Sequence, residues 1–281
     1  GQTYTTVLDA AGNWSVGVPA SVISGLSDGT VTVTASVTDA AGNTGTGSHN
    51  VTVDTGLPSV GFNTLSGDNV LNAVEKGQDL SVSGTSANLA EGTVVTVTLN
   101  GKNYTATTAA DGSWSLTVPA ADLAGLGQAN YTLSATATNG VGNSVSNTAN
   151  LLVDTALPTV TINTVAGDNV INAAEVAAGQ TLSGTVANAE AGNTVTITLG
   201  GNTYTATVQN DLSWSVNVPS DVLTALGNGS LGVTATVTNG HGNTGSGERE
   251  IVIDANLPGL RVDTVAGDDV VNSIEHTQNL I

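Results

Sequence analysis

Apolar and polar residues alternate in short runs along the whole chain, which is typical of strands that bury one face. In the run 232–238, Val233, Ala235 and Val237 alternate with threonines. Because successive side chains point to opposite faces of a strand, we expect these three residues to face a core. Similar runs predict strands at 159–165, 181–186, 194–199, 204–208, 214–218, 232–238 and 251–253. This density of short strands predicts an all-β fold of immunoglobulin-like β-sandwich domains.

The same pattern returns with a period of 100 residues. Tyr4, Trp14 and Asp54 each recur 100 and 200 positions later without a slip in the spacing. The segment VDTGLP at 53–58, with its copies, places an acid, a turn former and a proline after a strand-like run, which favours a domain boundary. We therefore expect a partial repeat at 1–53, complete repeats at 54–153 and 154–253, and a partial repeat at 254–281. Such tandem domains predict an elongated, monomeric rod.

Turn and cap residues refine this prediction. Asn100-Gly101 and Gly200-Gly201 are expected to form hairpin turns, which need a positive φ. A short helix is expected to begin near Pro219, with Ser220 as its N-cap. Leu212 stands where the other copies of its turn have glycine, so the type of that turn is left open.

The charge of the chain limits its partners. Against 23 acidic residues stand only 4 basic ones, giving a formal net charge of −19. Nucleic acids and anionic membranes are therefore unfavourable partners, whereas cations are favourable ones. No apolar run approaches the roughly 20 residues that cross a membrane, so membrane insertion is not expected. The chain contains no cysteine, which excludes disulfides and thiolate metal sites.

Catalytic patterns are not found in the sequence. No nucleophile elbow, Ser/His/Asp arrangement or phosphate-binding glycine loop stands out, so an enzyme is not expected. Trp14, Trp114 and Trp214 could stack on sugars, but each alternates with valine or leucine on one strand face. We therefore expect all three in the core.

Acidic residues recur at fixed places in each repeat. Carboxylates that crowd together repel one another unless a cation neutralises them, and oxygen donors suit Ca²⁺. The alternative is an ordinary solvated acidic surface. The acids that recur after each boundary are Asp54, Asp68, Glu75, Asp154, Asp168, Glu175, Asp254, Asp268 and Glu275.

Strand length suggests which acids lie together. An extended strand at 159–165 would span about 23 Å, so Asp154 and Asp168 should lie at opposite ends of their domain. In a sandwich, Asp68 and Glu75 should then lie near Asp154. The loop at 239–243 places Asn239 beside Asp154. By the same logic, Asn139 lies beside Asp54, and Asp39 occupies the equivalent position in the first partial repeat. We expect a composite Ca²⁺ site at each junction.

Several motifs carry a family resemblance. The VDTxLP boundary, the GDNVxNxxE loop, the strand opening Gly-Ser-Trp-Ser at 112–115 and the TATVTNGxGN segment resemble the bacterial Ig-like repeats of giant adhesins exported by type I secretion in Gram-negative bacteria. The resemblance implies a secreted or cell-surface protein, passage through a type I secretion apparatus, contact with a host-cell surface or glycan receptor, and Ca²⁺ at domain junctions. It assigns the junction ligands to Asp54, Asp154 and Asp254 and to the loop acids Asp68, Glu75, Asp168 and Glu175.

Three functions compete at this point. The leading one is a structural and adhesive stalk whose repeats set reach and stiffness. The second is a carbohydrate- or receptor-binding module on the loops of one repeat. The third is an accessory array of a secreted hydrolase.

Overall fold

A computed structural model describes residues 1–265, 269–277 and 279. The chain divides into two compact units, Gly1–Asp154 and Thr155–Ile281. Within the described part of the chain, no helix is long and apolar enough to cross a membrane.

The first unit contains a hairpin followed by a sandwich. Its elements are α1 (Ala20–Ile23), β1 (Gly29–Thr38), β2 (Thr44–Val53), β3 (Ser59–Phe62), β4 (Val70–Leu71), β5 (Leu80–Ala87), β6 (Val94–Leu99), β7 (Lys102–Thr107), β8 (Ser113–Val118), α2 (Ala120–Leu123), β9 (Ala129–Thr138) and β10 (Ser144–Val153). A 3-10 turn lies at Glu75–Gly77. Strands β1 and β2 pair with each other, whereas a three-stranded sheet β3-β5-β8 faces a five-stranded sheet β4-β10-β9-β6-β7.

The second unit repeats the sandwich. Its elements are β11 (Thr159–Val160), β12 (Val170–Asn172), α3 (Ala173–Ala178), β13 (Gln180–Ala187), β14 (Thr194–Leu199), β15 (Asn202–Thr207), β16 (Ser213–Val218), α4 (Ser220–Leu226), β17 (Gly229–Thr238) and β18 (Thr244–Asp254). The sheets are β11-β13-β16 and β12-β18-β17-β14-β15, and a 3-10 turn lies at Glu275–Thr277. The all-β, immunoglobulin-like fold is thus confirmed.

Alternation correctly predicts the core faces of both sandwiches. Val233, Ala235 and Val237 are buried, as expected. Trp114 and Trp214 are buried too, and each ring lies over a glycine of the neighbouring strand. A Cβ on Gly84 would lie 2.4 Å from the Trp114 ring and 1.8 Å from the carbonyl oxygen of Gly61. A larger residue there would displace both the indole and strand β3.

The core prediction is wrong for Trp14. This residue is 50% exposed, against 3% for Trp114 and 1% for Trp214. Its position is equivalent to that of Trp114 in β8, but Trp14 itself lies outside any strand, and β1 and β2 pair only with each other. Within residues 1–53 no second sheet covers the apolar face, so the side chains that alternate inward remain exposed.

Two predicted strands differ most from the observed bounds. The run 159–165 yields a regular strand only at Thr159–Val160, although the N–H groups of Thr161 and Asn163 still donate to the carbonyls of Thr185 and Ser183, both at 2.8 Å. The chain then turns through positive φ at Ala166 and Asn169 and forms β12 in the opposite sheet. The run 251–253 is the end of β18, whose polar first part pairs with β17 along its length. Main-chain pairing extends this strand beyond the apolar pattern.

The predicted turns are confirmed, but the predicted cap is not. Asn100, Gly101, Gly200 and Gly201 all have positive φ. Helix α4 begins at Ser220, but its N-cap is Pro219, which has no side-chain hydrogen-bond donor or acceptor.

Candidate metal site

In each unit, a short strand between the two loop acids pairs with the end of the last strand. In the first unit β4 pairs in parallel with β10, and the backbone N–H of Asp154 donates to the carbonyl of Leu71 at 3.2 Å. In the second unit β12 pairs in parallel with β18, so that Asn172 lies opposite Asp254. Asp68 is therefore placed two residues before the strand that pairs beside Asp154, and Asp168 stands in the same relation to Asp254.

The carboxylates of Asp68 and Asp168 also hold their own loop. In each, Oδ1 accepts the backbone N–H two residues later, from Val70 or Val170, at 2.9 Å. Local bonds of this kind favour turns at aspartate. Both side chains are exposed. A turn role is thus visible for these residues beside the predicted metal role.

Glu75 and Glu175 each exchange two hydrogen bonds with the asparagine three residues earlier, and at Glu175 these bonds form a capping box. The Glu175 side chain accepts the N–H of Asn172 at 2.9 Å, and the Asn172 side chain accepts the N–H of Glu175 at 3.1 Å. Glu75 and Asn72 form the same pair of bonds at 3.1 and 3.0 Å, at the start of the 3-10 turn. This reciprocal bonding satisfies the first N–H groups of a helix.

In the loop before the last strand, the side chain of the first loop residue accepts backbone N–H groups of the same loop. Oδ1 of Asn139 accepts the N–H groups of Val141 and Asn143 at 3.2 and 2.8 Å. Asn239 does the same within 239–243, at 3.1 and 2.9 Å. In the equivalent loop, hydrogen bonds from the side chain and backbone of Asn43 lower the pKa of Asp39.

At Asp54 the structure brings in two residues that the sequence prediction missed. Nδ2 of Asn143, not of Asn139, donates to the carbonyls of Asp54 and Gly56, both at 3.2 Å. Asp28 accepts the hydroxyl of Thr55 at 2.7 Å and its backbone N–H at 2.9 Å, and these bonds lower the pKa of Asp28. Asn228 stands 200 residues after Asp28, and its side chain likewise accepts the N–H of Ala255 at 3.0 Å. The repeat period could therefore have pointed to Asp28.

The donor chemistry fits Ca²⁺, but the carboxylates are not gathered together. The recurring acids and amides offer only oxygen ligands of the kind Ca²⁺ prefers. Among the described residues, however, no three His, Asp or Glu side chains are grouped so that they could hold a metal. Asp268 and the side chain of Glu275 lie outside what the structure describes. Near the last boundary, Asp263 pairs with Arg261 at 3.1 Å, and both side chains are exposed.

Fold and loop geometry define a tandem array of Ig-like domains, and the comparisons agree. The family model of the bacterial Ig-like domain matches residues 1–55 and 64–155, so the chain belongs to this family. No curated protein matches the chain.

Two solved structures resemble the chain along most of its length. One is a Ca²⁺-stabilized adhesin with which an Antarctic bacterium reaches out and binds ice: 34% identity, 97% of this chain and 68% of that one covered, TM-score 0.52. The other concerns host cell surface retention of a 1.5-MDa bacterial ice-binding adhesin: 32% identity, coverage of 90% and 83%, TM-score 0.50.

Proposed function

We propose that this chain is part of the stalk of a large bacterial adhesin. The observation that carries the proposal is the likeness of tandem Ig-like repeats, over nearly the whole chain, to the two adhesin structures. These relatives are adhesins rather than enzymes, which supports a non-catalytic role. The stability of such an array is approximately the sum of repeat terms and nearest-neighbour terms.

Calcium is the second part of the proposal. One Ca²⁺ site at the end of the first unit would use Asp68, Glu75 and Asp154. An equivalent site in the second unit would use Asp168, Glu175 and Asp254. Two observations support it: the parallel pairing of β4 with β10 and of β12 with β18, and the Ca²⁺ stabilization of one relative. A bound cation would neutralise the acids and tie the loop to the last strand. The contribution of Asn239 stays a prediction.

The test is thermal unfolding of the chain in EDTA and in millimolar Ca²⁺, with Mg²⁺ as a second cation. A ligand at about 100 times its dissociation constant stabilises the folded state by roughly 2.7 kcal/mol, so Tm should rise clearly. Asp154→Asn should reduce the Ca²⁺ response. Asp111→Asn is the matched control, because Asp111 is an acid in a different turn, where it accepts bonds from Ser113. A Tm that does not change with Ca²⁺ would refute the calcium proposal.

The finer expectations stay predictions. They include the repeat bounds 54–153 and 154–253, the rod, the monomeric state, export by a type I apparatus from a Gram-negative bacterium, and a host-cell or glycan receptor. The likeness that the motifs suggest to the Salmonella adhesin SiiE belongs with them. So do the two alternative functions, a binding module and an accessory array of a secreted hydrolase.

A further inference from the structure

The chain offers few places where an endopeptidase of trypsin-like specificity can cut. Such an enzyme holds a lysine or arginine side chain in a pocket that contains a carboxylate, and it hydrolyses the peptide bond that follows. The basic residues are Lys76, Lys102, Arg249 and Arg261, and none of them is followed by proline. The sequence alone therefore allows four cuts in 281 residues, and the fold determines which of them are accessible.

Cleavage sets two conditions on the substrate. The basic side chain must be free to enter the pocket of the enzyme, and the backbone on both sides of the cut must be free to lie extended in its cleft. A strand whose N–H and C=O groups are paired in a sheet meets the second condition only after it has left the sheet. Exposed segments without regular structure are accordingly the preferred sites of proteolysis.

Arg249 meets neither condition. Nε donates to the carbonyl of Ile162 at 2.7 Å, and Nη1 donates to Oδ1 of Asn169 at 3.3 Å. The backbone of Arg249 lies within β18, where it pairs with Val233 of β17. Because both the guanidinium group and the backbone are engaged, this site is protected while the second sandwich is folded.

Lys102 is protected in the first sandwich. It begins β7, which pairs with β6, so that Lys102 lies opposite Leu99 and Asn103 opposite Thr98. Its Nζ lies 2.5 Å from Oδ1 of Asp122. The peptide bond after Lys102 is therefore part of a paired strand, although the side chain itself is 60% exposed.

Lys76 is protected by a turn. It lies in the 3-10 turn Glu75–Gly77, between β4 and β5. The N–H of Lys76 donates to the carbonyl of Asn72 at 2.9 Å, and the N–H of Gly77 donates to that of Val74 at 3.1 Å. The peptide bond between Lys76 and Gly77 thus lies inside successive turn bonds, and it cannot become extended until these bonds break.

Arg261 meets both conditions. Its side chain is 88% exposed and pairs with Asp263, which is 87% exposed. An ion pair between exposed side chains contributes little, so the guanidinium group can leave it readily. Residues 256–265 are all exposed, and residues 256–264 lie in no helix or strand. The backbone around this arginine is therefore open to an enzyme cleft.

The 100-residue period allows a comparison of this position with its copies. Arg261 is equivalent to Gly61 and Thr161. Gly61 lies in β3 opposite Thr85, and the N–H of Thr161 donates to the carbonyl of Thr185 at 2.8 Å. In both sandwiches the neighbouring strand thus holds the backbone at this position, whereas Arg261 lies outside every strand of the described residues.

We propose that the peptide bond between Arg261 and Val262 is a processing site for a trypsin-like serine endopeptidase. Hydrolysis consumes one water: the bond from the Arg261 carbonyl carbon to the Val262 nitrogen breaks, the carbon gains the hydroxyl, and the nitrogen gains the proton. The products are residues 1–261, which end in a new carboxylate, and residues 262–281. Both sandwiches lie within the first product, so the cut detaches the last segment and leaves them whole.

The experiment is limited digestion of the full chain with trypsin in EDTA, followed by mass spectrometry of the products. Residues 1–261 should accumulate as one product. Cuts after Lys76, Lys102 and Arg249 should be slower by at least about a hundredfold, because each requires prior opening of a sandwich. Arg261→Gln should abolish the early cut. Lys102→Gln, which removes another basic residue, should leave the rate of the early cut unchanged.

Thr161→Arg, made in the Arg261→Gln background, is the matched control. It places an arginine at the equivalent position of the second sandwich, where the side chain is exposed but the backbone is paired. No early cut should follow it, provided that thermal unfolding shows a folded variant. Gly61→Arg covers the case in which Thr161→Arg does not fold, since a Cβ at Gly61 would lie at an ordinary 3.8 Å from Oγ1 of Thr85.

Three outcomes would overturn the proposal. One is a chain that stays intact at Arg261, and another is early cleavage after Arg249 or either lysine at a comparable rate. The third is a folded Thr161→Arg or Gly61→Arg variant that is cut as fast as the native site, because pairing would then give no protection. Working in EDTA separates this test from the calcium proposal, which fails or succeeds on the Ca²⁺ titration.

Discussion

Leu212 adopts a backbone conformation that glycine holds in the two other copies of its turn. Its φ is +63°, and Gly12 and Gly112 have φ of +81°. A non-glycine residue in this region costs about 1–2 kcal/mol, whereas glycine costs some unfolded-state entropy instead. We expect Leu212→Gly to raise the free energy of unfolding by about 0.5–1 kcal/mol in urea denaturation.

The reverse change is the control for this turn. A Cβ on Gly112 would lie 2.4 Å from the carbonyl oxygen of Ser86. Gly112→Ala should therefore destabilise the sandwich of the first unit by at least about 1 kcal/mol. A destabilised Leu212→Gly variant would show that the leucine contributes more by packing than its conformation costs.

Single residues were the most predictable level of this fold. Alternation identified Val233, Ala235 and Val237 as core residues, and glycine or asparagine pairs identified the hairpins. The side-chain bonds of Asn147 and Arg249 could not be predicted, because their partners are backbone carbonyls 87 residues away. Only the three-dimensional approach of two strands makes those carbonyls available.

At the scale of elements, Glu175 has two candidate roles that one substitution can separate. Glutamine also completes a capping box, so Glu175→Gln should keep the cap and remove the charge. In EDTA we expect its stability to stay within about 0.5 kcal/mol of the wild type, whereas Glu175→Ala should lose about 1 kcal/mol. If Glu175 binds Ca²⁺, both variants should show a reduced rise of Tm in Ca²⁺. A full Ca²⁺ response in Glu175→Gln would leave this residue with the cap alone.

The elements missed by the sequence prediction are those without an apolar period. Strand β12 and helix α3 follow one another directly, and Asn172 ends the strand and caps the helix. A strand of three residues and a helix of six are too short for either periodicity to show. The candidate site depends on these elements, which explains why the recurring acids could be identified from the sequence and their local bonds could not.

At the scale of the whole molecule, the sequence period predicted the repetition, but equivalent positions need not have equal environments. The same tryptophan position is buried in both complete sandwiches and half exposed in residues 1–53. Burial of that side chain depends on strands distant in sequence, so a local motif alone cannot determine it.

This difference predicts how the protein responds to a fluorescence quencher. Acrylamide should reach Trp14, which is 50% exposed, and be excluded from Trp114 and Trp214, which are 3% and 1% exposed. About one third of the emission should therefore be quenched readily, if the three indoles emit equally, and Trp14→Phe should remove that fraction. Because no second sheet covers Trp14, its replacement should leave the thermal unfolding of both sandwiches unchanged within about 0.5 kcal/mol. Uniformly protected emission would mean that Trp14 is covered in solution, and the apolar face of residues 1–53 would then have a partner.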